Sequence, residues 1–376
     1  MIKPKNIIII GSRGLFLNYG GWEYYLNNLL PILSQKSRSI KIHVINFSLD
    51  IMKTTIKSIN ENLYVHELPI NKEFNMVIKD LIAFKYAKKI NLNNKYLYFL
   101  GVRVGIPLFF NAFNPFRNFK LIFNPAGIEW MRKKFSLLSR LYLYLSAYLM
   151  AKTFDFIISD SHNITKYYID HFKVNKHKIS TIPYGVAKLN KSDNISDILD
   201  TYKLKQHGYY LIISRFVPEN SYEQIIKAFI QSKSKNKLVI VSNFIKEKKY
   251  FKSLDQIYHI TSNKRILLID SLYDNSKLNS LRFNCLSYIN GNQLGGTNPG
   301  LLQAMVACRT IIAYDSIFAR EVVGNNAYYF KSFKELNLVF RINKYKSFRR
   351  DYLKIIENDY LWEKISYLHM QFFERI

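Results

Sequence analysis

The sequence predicts an α/β protein made of two Rossmann-like, doubly wound domains with parallel sheets, facing each other across a cleft. Short apolar runs alternate with helical stretches in the first half of the chain, and the alternation restarts after residue 207. A polar segment, Pro183–His207, separates the two halves. The length of 376 residues fits two domains, expected at 1–186 and 187–355, with a helix at 356–376 that packs back towards the first.

The first strand is the unbroken apolar run Ile7–Ile10, which stops at a glycine and is followed by helical spacing. The other strand candidates of the first half are Ile42–Phe47, Tyr64–Leu68, Tyr96–Leu100, Leu121–Phe123, Phe156–Ser159 and Ile179–Ile182. Its helix candidates are Asn18–Leu33, Phe74–Lys89, Ser136–Lys152 and Ile164–Phe172. The strand candidates of the second half are Tyr210–Ile213, Leu238–Val241, Ile266–Ile269, Cys285–Ile289 and Thr310–Ala313. Its helix candidates are Ser221–Ser232, Lys277–Asn284, Pro299–Ala307 and the aromatic tail Ser347–Ile376.

The chain carries 55 Lys and Arg against 27 Asp and Glu, a formal charge of +28, and 48% of its residues are hydrophobic. This composition excludes a disordered chain and indicates an anionic partner: nucleic acid, a membrane surface or phosphorylated small molecules. Cys285 and Cys308 are expected to be small core residues in a reducing compartment. The eight histidines do not cluster in the sequence. No run approaches about 20 apolar residues, so we expect a soluble or peripheral protein.

Glycines follow the first predicted strand, in Gly11-Ser-Arg-Gly14 and in Asn18-Tyr-Gly-Gly-Trp-Glu23. Glycines let a backbone approach a ligand closely, and the helix start that follows can hold an anion. The spacing is not that of the dinucleotide-binding Gly-x-Gly-x-x-Gly motif. A tight structural turn is the plain alternative.

Three further clusters follow predicted strands. The segment Asn124–Trp130 places Glu129 on a turn, where a carboxylate can bind sugar hydroxyls or favour the start of a helix. Arg215 has the planar fork that matches a diphosphate, and a surface arginine is the alternative. The segment Gly295–Met305 joins a glycine turn to a helix whose first amides can face an anion. Gln303 lies one turn further on, within reach of a ribose or as an ordinary polar helical residue.

Seven motifs stand in order along the chain: Gly11-Ser-Arg-Gly14 with Tyr19-Gly-Gly-Trp-Glu23, Gly127-Ile-Glu-Trp130, Ser159-Asp-Ser161, Ile182-Pro-Tyr-Gly185, Arg215-Phe-Val-Pro-Glu-Asn220, Gly295-Gly-Thr-Asn-Pro299 and Arg320-Glu-Val322. Together they resemble the retaining, nucleotide-sugar-dependent glycosyltransferases of family 4, which have the GT-B fold. The chain is most similar to their bacterial rhamnosyltransferase subgroup, which includes β-1,4-rhamnosyltransferases of capsule synthesis. The resemblance runs from Ile7 to about Phe330.

The resemblance implies an enzyme that moves L-rhamnose from dTDP-L-rhamnose onto a lipid-diphosphate-linked saccharide, with retention and without a metal or a separate cofactor. The second domain would bind the nucleotide sugar, and the first would face the acceptor. The implied donor-binding residues are Gly14, Arg215, Glu219, Asn220, Asn290, Gly295, Gly296, Thr297, Asn298 and Gln303. The implied acceptor-side residues are Arg13, Tyr19, Gly20, Gly21, Glu23 and Glu129. Arg215 and Glu129 are the expected catalytic residues, with no protein base, because the departing phosphate can take the acceptor proton.

Asn220 stands where the family has a Lys, and Gly295 where it has the first acid of a Glu-x7-Glu signature, both as in the resembled subgroup. The chain departs from the pattern at three further positions. Gln303 stands where the family has a ribose-binding Glu, Ala126 where the subgroup has Asp, and Asn290 where it has His. A neutral amide still hydrogen-bonds two hydroxyls but loses charge assistance. Two alternatives therefore stay open: transfer of glucose, galactose or N-acetylglucosamine, and a non-catalytic nucleotide-sugar-binding protein.

The implied acceptor places the protein in the cytoplasm, at the inner face of the cell membrane, in surface polysaccharide synthesis. A basic protein is drawn to anionic lipid by about 1 kcal/mol per Lys or Arg near the surface. The candidate contact is the lysine-flanked helix Ser136–Lys152 with Tyr142, Tyr144 and Tyr148, and a buried helix with a wet basic end is the alternative. Nucleic acid is not expected as a partner, because no zinc spacing, RNP sequence or basic reading helix is present. The oligomeric state stays open.

Overall fold

The computed structural model describes residues 4–16, 20–132, 134–189, 197–342 and 344–376. They form two compact units. The first unit holds the chain through Met131, then Phe135–Gly185 and Trp362–Ile376. The second unit holds Arg132–Lys134 and Val186–Leu361. The chain therefore leaves the first unit after Gly185 and returns at Trp362, so residues 356–361 of the expected last helix lie in the second unit.

The first unit is built on a sheet of eight strands in the order β3-β4-β2-β1-β5-β6-β7-β8. All neighbours are parallel except β3, which runs antiparallel to β4 at the edge. The strands are β1 Lys5–Ile10, β2 Ile40–Ser48, β3 Thr55–Asn60, β4 Leu63–Pro69, β5 Lys95–Leu100, β6 Phe119–Asn124, β7 Phe156–Ser159 and β8 Ile179–Thr181. The helices between them are α1 Gly21–Lys36, α2 Met76–Lys89, α3 Gly105–Phe113, α4 Leu137–Thr153 and α5 His162–Asp170.

The sequence predicted neither β3 nor α3. Strand β3 is an exposed edge strand and lacks the apolar run by which the buried strands are recognised. Helix α3 contains Pro107, but a proline in the first turn of a helix removes no helical hydrogen bond. Because Gly105 and Pro107 interrupt the apolar run in the sequence, no helix was predicted here.

The second unit is built on a parallel sheet of six strands in the order β11-β10-β9-β12-β13-β14. The strands are β9 Tyr209–Ile213, β10 Lys237–Ser242, β11 Ile266–Asp270, β12 Ser287–Asn290, β13 Ile311–Tyr314 and β14 Tyr328–Phe330. The helices are α6 Ile198–Thr201, α7 Tyr222–Ser232, α8 Lys248–Tyr258, α9 Asn275–Asn284, α10 Pro299–Ala307, α11 Ile317–Val323, α12 Phe333–Phe340 and α13 Arg349–Ile355. The buried aromatic and aliphatic side chains of β9, α7 and β10 form its core. Cys285 and Cys308 are free and buried, as expected of core residues.

The last helix, α14 (Trp362–Arg375), belongs to the first unit and packs on α1. His369 Nε2 lies 2.6 Å from the hydroxyl of Tyr25, and both side chains are buried. A Cβ atom at Gly185 would lie 2.5 Å from the ring of Trp362, so only glycine fits there. The first unit is therefore completed by the carboxyl-terminal end of the chain.

Candidate functional site

The second unit has a topological switch between β9 and β12, which are neighbours although the chain moves away from them in opposite directions. Ligands of such sheets bind outside the carboxyl ends of the strands at this point. The loops that follow β9 and β12 are joined there. Ser221 Oγ donates to the carbonyl of Gly291 at 2.7 Å, and the amide of Gln293 donates to the carbonyl of Glu219 at 2.9 Å. Most of the residues predicted to bind the donor lie on these two loops.

Gly291 is the point where the two loops touch. A Cβ atom at this position would lie 2.1 Å from the carbonyl oxygen of Asn220, so any larger residue would separate the loops. The side-chain amide of Asn220 donates to the carbonyl of Arg215 at 2.8 Å. Asn220 therefore holds the loop that carries Arg215. Gly291 is not among the residues predicted from the sequence, although a glycine directly after a strand was the signal.

Arg215 lies exposed on the loop after β9, and buried residues follow it in the chain. The next residue, Phe216, is fully buried and stacks on Tyr222 with ring centroids 4.1 Å apart. In the described part of the chain, no hydrogen bond or ion pair engages the guanidinium of Arg215. The backbone at Arg215 is therefore held in place, while its guanidinium group is exposed and forms no hydrogen bond or ion pair with the described residues.

Glu219 is buried, although it carries a carboxylate. Its Oε1 accepts a hydrogen bond from the amide of Lys134 at 3.0 Å, while its Oε2 has no hydrogen-bond partner among the described residues. A buried acceptor without a donor is costly unless a ligand hydroxyl or water supplies one. Glu219 therefore keeps one carboxylate oxygen without a donor, and its role in donor binding stays a prediction.

The loop from β12 to α10 contains the other predicted donor residues. Asn290 ends β12 and is buried, and Gly295 has a φ of 141°, a conformation that favours glycine. Thr297 is buried, and Gly296 is partly exposed beside it. These positions agree with a loop whose backbone can approach a ligand, and their role in donor binding stays a prediction.

The start of α10 differs from the expectation. Asn298 is its N-cap, and Asn298 Oδ1 accepts hydrogen bonds from the amides of Gly300 at 2.8 Å and Leu301 at 3.2 Å. These two amides are therefore not free to hold an anion, because a capping side chain uses them. An anion at this loop would depend on the amides of Gly295, Gly296 and Thr297.

Gln303 makes a contact that its sequence position did not predict. Gln303 Oε1 accepts a hydrogen bond from Arg282 Nη2 at 2.7 Å, and Arg282 Nη1 donates to Asn279 at 3.1 Å. Arg282 is only 3% exposed, and within the described ranges it has no salt bridge to a carboxylate. Arg282 is thus a buried cation whose acceptors are neutral amides.

We expect Gln303→Glu to stabilise the second unit, because its carboxylate would pair with the guanidinium of Arg282. Replacing a neutral acceptor by a charged one is worth about 1 kcal/mol. Since a unit of this size shifts by about 2–4 °C per kcal/mol, its melting temperature should rise by that amount. The matched control is Gln303→Leu, which leaves Arg282 without this acceptor and should lower the melting temperature. A drop with Gln303→Glu would contradict the contact.

In the first unit the switch lies between β1 and β5, and the glycine loop follows β1. Gly11, Gly14 and Gly20 have φ values of 108°, 146° and 125°. Tyr19 lies outside the described residues, and Gly21 begins α1. The loop therefore needs its glycines for backbone geometry, whichever ligand it meets.

Glu23 fixes this loop. Its side chain is 3% exposed, and Glu23 Oε1 accepts a hydrogen bond from the amide of Arg13 at 2.7 Å. A Cβ atom at Gly20 would lie 1.9 Å from Glu23 Oε2. Glu23 therefore positions the backbone on which Arg13 stands, and its contact with an acceptor stays a prediction.

The glycine loop after β1 is also held by an ion pair, Arg103–Asp80, which was not predicted from the sequence. Arg103, after β5, lies 3.1 Å from Asp80 of α2 through Nε and donates to the carbonyl of Gly11 through Nη2 at 3.0 Å. Burial raises the pKa of Asp80 to about 6, and Arg103 opposes that rise. The two residues are 23 positions apart, so sequence spacing gave no signal for them.

Glu129 begins a one-turn helix, Glu129–Met131, after β6. The turn before it has φ values of 57° at Ala126 and 94° at Gly127. A left-handed conformation costs a residue with a Cβ atom about 1 kcal/mol, and Asp tolerates it better than Ala. The Asp of the resembled subgroup would therefore suit this turn, and Ala126 keeps the same turn without a carboxylate.

The chain is similar to a protein-family profile over its first half and to solved structures over nearly its whole length. Residues 4–187 match the profile of a domain of unknown function, DUF1972. No curated protein matches the chain. Sucrose-phosphate synthase of Thermosynechococcus elongatus superposes with a TM-score of 0.76 at 14% identity, covering 99% of this chain and 98% of that one. HepE of Anabaena in complex with UDP-glucose gives 0.71 at 14% identity, with 99% and 100% coverage. The UDP-forming α,α-trehalose-phosphate synthase of Burkholderia xenovorans gives 0.68 at 10% identity, with 98% and 100% coverage.

The chain has the GT-B fold. The expectation of two Rossmann-like domains is therefore confirmed, since the superpositions cover both units. Most of the predicted site residues that the structure describes lie in loops that follow the carboxyl ends of strands of their own unit, while Glu23 and Gln303 lie in the helices α1 and α10. Among the described residues, no helix is both long and apolar enough to cross a membrane.

Proposed function

We propose that this chain is a retaining, nucleotide-sugar-dependent glycosyltransferase whose second unit binds the donor diphosphate. The observation that carries the proposal is Arg215, an exposed arginine at the β9/β12 switch with no protein partner among the described residues. The GT-B fold supports it, and so does HepE, whose solved structures hold UDP and UDP-glucose. An arginine fork matches two phosphate oxygens, so a diphosphate is the anion that suits this position.

The chemistry follows from where charge develops. The bond between the anomeric carbon and the diphosphate breaks, and negative charge grows on the departing phosphate. Arg215 and the backbone amides of Gly295–Thr297 would stabilise that charge. The acceptor hydroxyl forms the new bond on the same face of the sugar, and its proton passes to the departing phosphate oxygen. Glu129 would orient the acceptor, and Glu219 would bind a donor hydroxyl through its unpartnered oxygen.

We propose dTDP-L-rhamnose as the donor and a lipid-diphosphate-linked saccharide as the acceptor, at the cytoplasmic membrane face. The motif order along the chain supports this choice. A second candidate is a glucose-type donor, which HepE favours because its complex contains UDP-glucose. A non-catalytic nucleotide-sugar-binding protein is the third, because Ala126, Asn290 and Gln303 replace acids and a histidine of the resembled family.

A donor panel separates these candidates. We expect dTDP-L-rhamnose to raise the melting temperature of the purified chain by several degrees, since saturation at about 100 times Kd stabilises a protein by about 2.7 kcal/mol. Incubation with a lipid-diphosphate-glucose acceptor should then add the mass of one rhamnose. A larger shift with UDP-glucose, followed by transfer of glucose, would replace the donor assignment. No shift with any nucleotide sugar and no transfer would overturn the proposal.

A further inference from the structure

Helices α3 and α4 of the first unit lie side by side on one face of the sheet. They connect β5 to β6 and β6 to β7, and successive right-handed crossovers in one direction place their helices on the same face. The amide of Gly105 donates to Ser146 Oγ at 2.7 Å, and a Cβ atom at Gly105 would lie 2.0 Å from the carbonyl oxygen of Ser146. The two backbones therefore touch, and the helices form one continuous outer surface.

Helix α4 is apolar on both of its sides. Leu143, Ala147 and Met150 are buried on the inner side. The outer side carries Leu137, Leu138, Leu141 and Leu145, which are 78%, 81%, 56% and 42% exposed. Their spacing keeps these four residues on one stripe of the helix. A helix that is apolar all round is normally covered on all sides, so this stripe lacks its partner.

The tyrosines of α4 do not form this stripe. Tyr142, which the sequence analysis placed in the contact, donates its hydroxyl to the carbonyl of Arg103 at 2.7 Å and is only partly exposed. Tyr144 and Tyr148 pack against Phe172 and are 39% exposed. The leucines therefore form most of the outer surface of α4, and the tyrosines flank it.

Helix α3 continues the same surface with aromatic residues. Ile106, Phe110 and Phe113 follow one another at helical spacing and are 37%, 83% and 72% exposed, and Phe116 just beyond the helix is 93% exposed. Phe110, Phe113 and Phe116 are the three phenylalanines among the described residues that are more than 70% exposed. Soluble monomers seldom expose such a cluster without a binding role. We call the surface formed by these residues and the α4 leucines the α3/α4 face.

The charge around the α3/α4 face has one sign. Residues 105–120 and 135–153 contain four cationic residues and no acidic residue. Lys152 Nζ lies 5.5 Å above the ring of Tyr148 at one end of α4, and Lys88 Nζ donates to Asn111 of α3 at 3.2 Å. Arg117 and Lys120 share a single carboxylate, that of Asp155. The apolar surface is thus bordered by an excess of positive charge.

We propose that the α3/α4 face docks on an anionic lipid bilayer, with its leucines and phenylalanines inserted below the headgroups and its cations among the phosphates. Amphipathic helices with a basic border lie in membrane interfaces in this way. A second copy of the chain fits less well, because a symmetric interface would bring two cationic borders together. The inference rests on the proposed function only in one respect, the lipid-linked nature of the acceptor. The α3/α4 face itself is a feature of the first unit and does not depend on that function.

The test is flotation of the full chain with vesicles. The wild type should float with vesicles that contain phosphatidylglycerol, float much less with pure phosphatidylcholine, and be released by high salt, because salt screens surface charge. The variant Phe110→Ser/Phe113→Ser should lose at least tenfold of its partition. The matched control is Ile257→Ser/Leu338→Ser, which removes two side chains of the second unit that are 61% and 65% exposed. This control should float like the wild type.

Two measurements keep the result open to refutation. Each variant should keep the wild-type melting temperature and its shift with nucleotide sugar, so that lost flotation cannot be attributed to unfolding. Equal flotation of the α3 variant and the wild type would overturn the inference, and so would a stable dimer that the α3 variant alone dissociates. Flotation without any nucleotide-sugar binding would instead refute the proposed function and leave the docking surface standing.

Discussion

Arg215→Ala should lower kcat/KM for sugar transfer by about 10²–10³-fold, the loss typical when one preorganised donor to a developing negative charge is removed. The melting temperature should not change. The guanidinium makes no hydrogen bond or ion pair within the residues that the structure describes, and Asn220 binds the backbone carbonyl of Arg215, which alanine keeps. Initial rates at several donor concentrations, together with a melting curve, measure both expectations.

Two companion variants sharpen this prediction. Arg215→Lys keeps the charge but loses the planar fork, so its activity should fall between those of the wild type and Arg215→Ala. Arg350→Ala removes an exposed arginine of α13 and should be as active as the wild type. Normal turnover by Arg215→Ala would show that the diphosphate is not held here. A lowered melting temperature would show that Arg215 has a structural role.

The strand pattern was predictable because these sheets are parallel and buried. A strand covered on both faces must be apolar along its length, so β1, with Ile7–Ile10, and β10, with Leu238–Val241, are visible as short apolar runs. The site loops were predictable for a related reason. Glycine and polar residues collect where such runs end, which is how the loop of Arg215 and the loop of Gly295 were found.

The contacts that hold the site together could not be predicted in this way. Arg282 and Gln303 are 21 positions apart, and Arg103 and Asp80 are 23 apart on different elements. Their pairing depends on how helices pack, which no local pattern encodes. The prediction of free amides at the start of α10 was wrong for a different reason. Asn298 is the N-cap, and its side chain accepts hydrogen bonds from those amides. The capping role of an asparagine directly before a helix proline was the overlooked signal.

The histidines also show how distance in sequence hides a cluster. His43 of β2 and His66 of β4 lie on neighbouring strands, and His43 Nδ1 is 2.9 Å from His66 Nε2. His43 Nε2 lies 3.1 Å from Asn6 Oδ1, and His66 Nδ1 lies 2.8 Å from the hydroxyl of Tyr86. Burial lowers the pKa of both rings, which favours their neutral form. With neutral rings the contacts fit one assignment, in which Tyr86 donates to His66, His66 to His43, and His43 to Asn6, and both rings then carry their proton on Nε2.

Three histidines of the first unit resist protonation. Burial lowers the pKa of His43 to about 3, with His66 and Lys41 adding to the effect, and burial lowers the pKa of His66 to about 4. Burial likewise lowers the pKa of His369, which contacts Tyr25, to about 4. In the unfolded chain all three bind a proton near pH 6.5. The stability that they contribute is therefore present above about pH 6.5 and is lost as the pH falls towards 4.

Asp80 opposes them. Burial raises its pKa to about 6, above its unfolded value of 3.8, so the folded state binds this proton first as the pH falls. Between about pH 6 and pH 5 the unfolded chain thus binds about three more protons at the histidines, and the folded chain binds about one more at Asp80. The net difference of two protons corresponds to about 3 kcal/mol of lost stability per pH unit.

We therefore expect the first unit to unfold in mild acid, its free energy of unfolding falling by about 3 kcal/mol from pH 6 to pH 5. Because Trp22, Trp130 and Trp362 all belong to the first unit, urea titrations followed by tryptophan fluorescence report on that unit. His369→Gln keeps a hydrogen-bonding side chain near Tyr25 but removes one titrating group, so the slope should halve. His177→Gln, at an exposed histidine of the same unit, should leave it unchanged. A free energy of unfolding that stays constant from pH 7 to pH 5 would contradict the neutral, buried state of these rings.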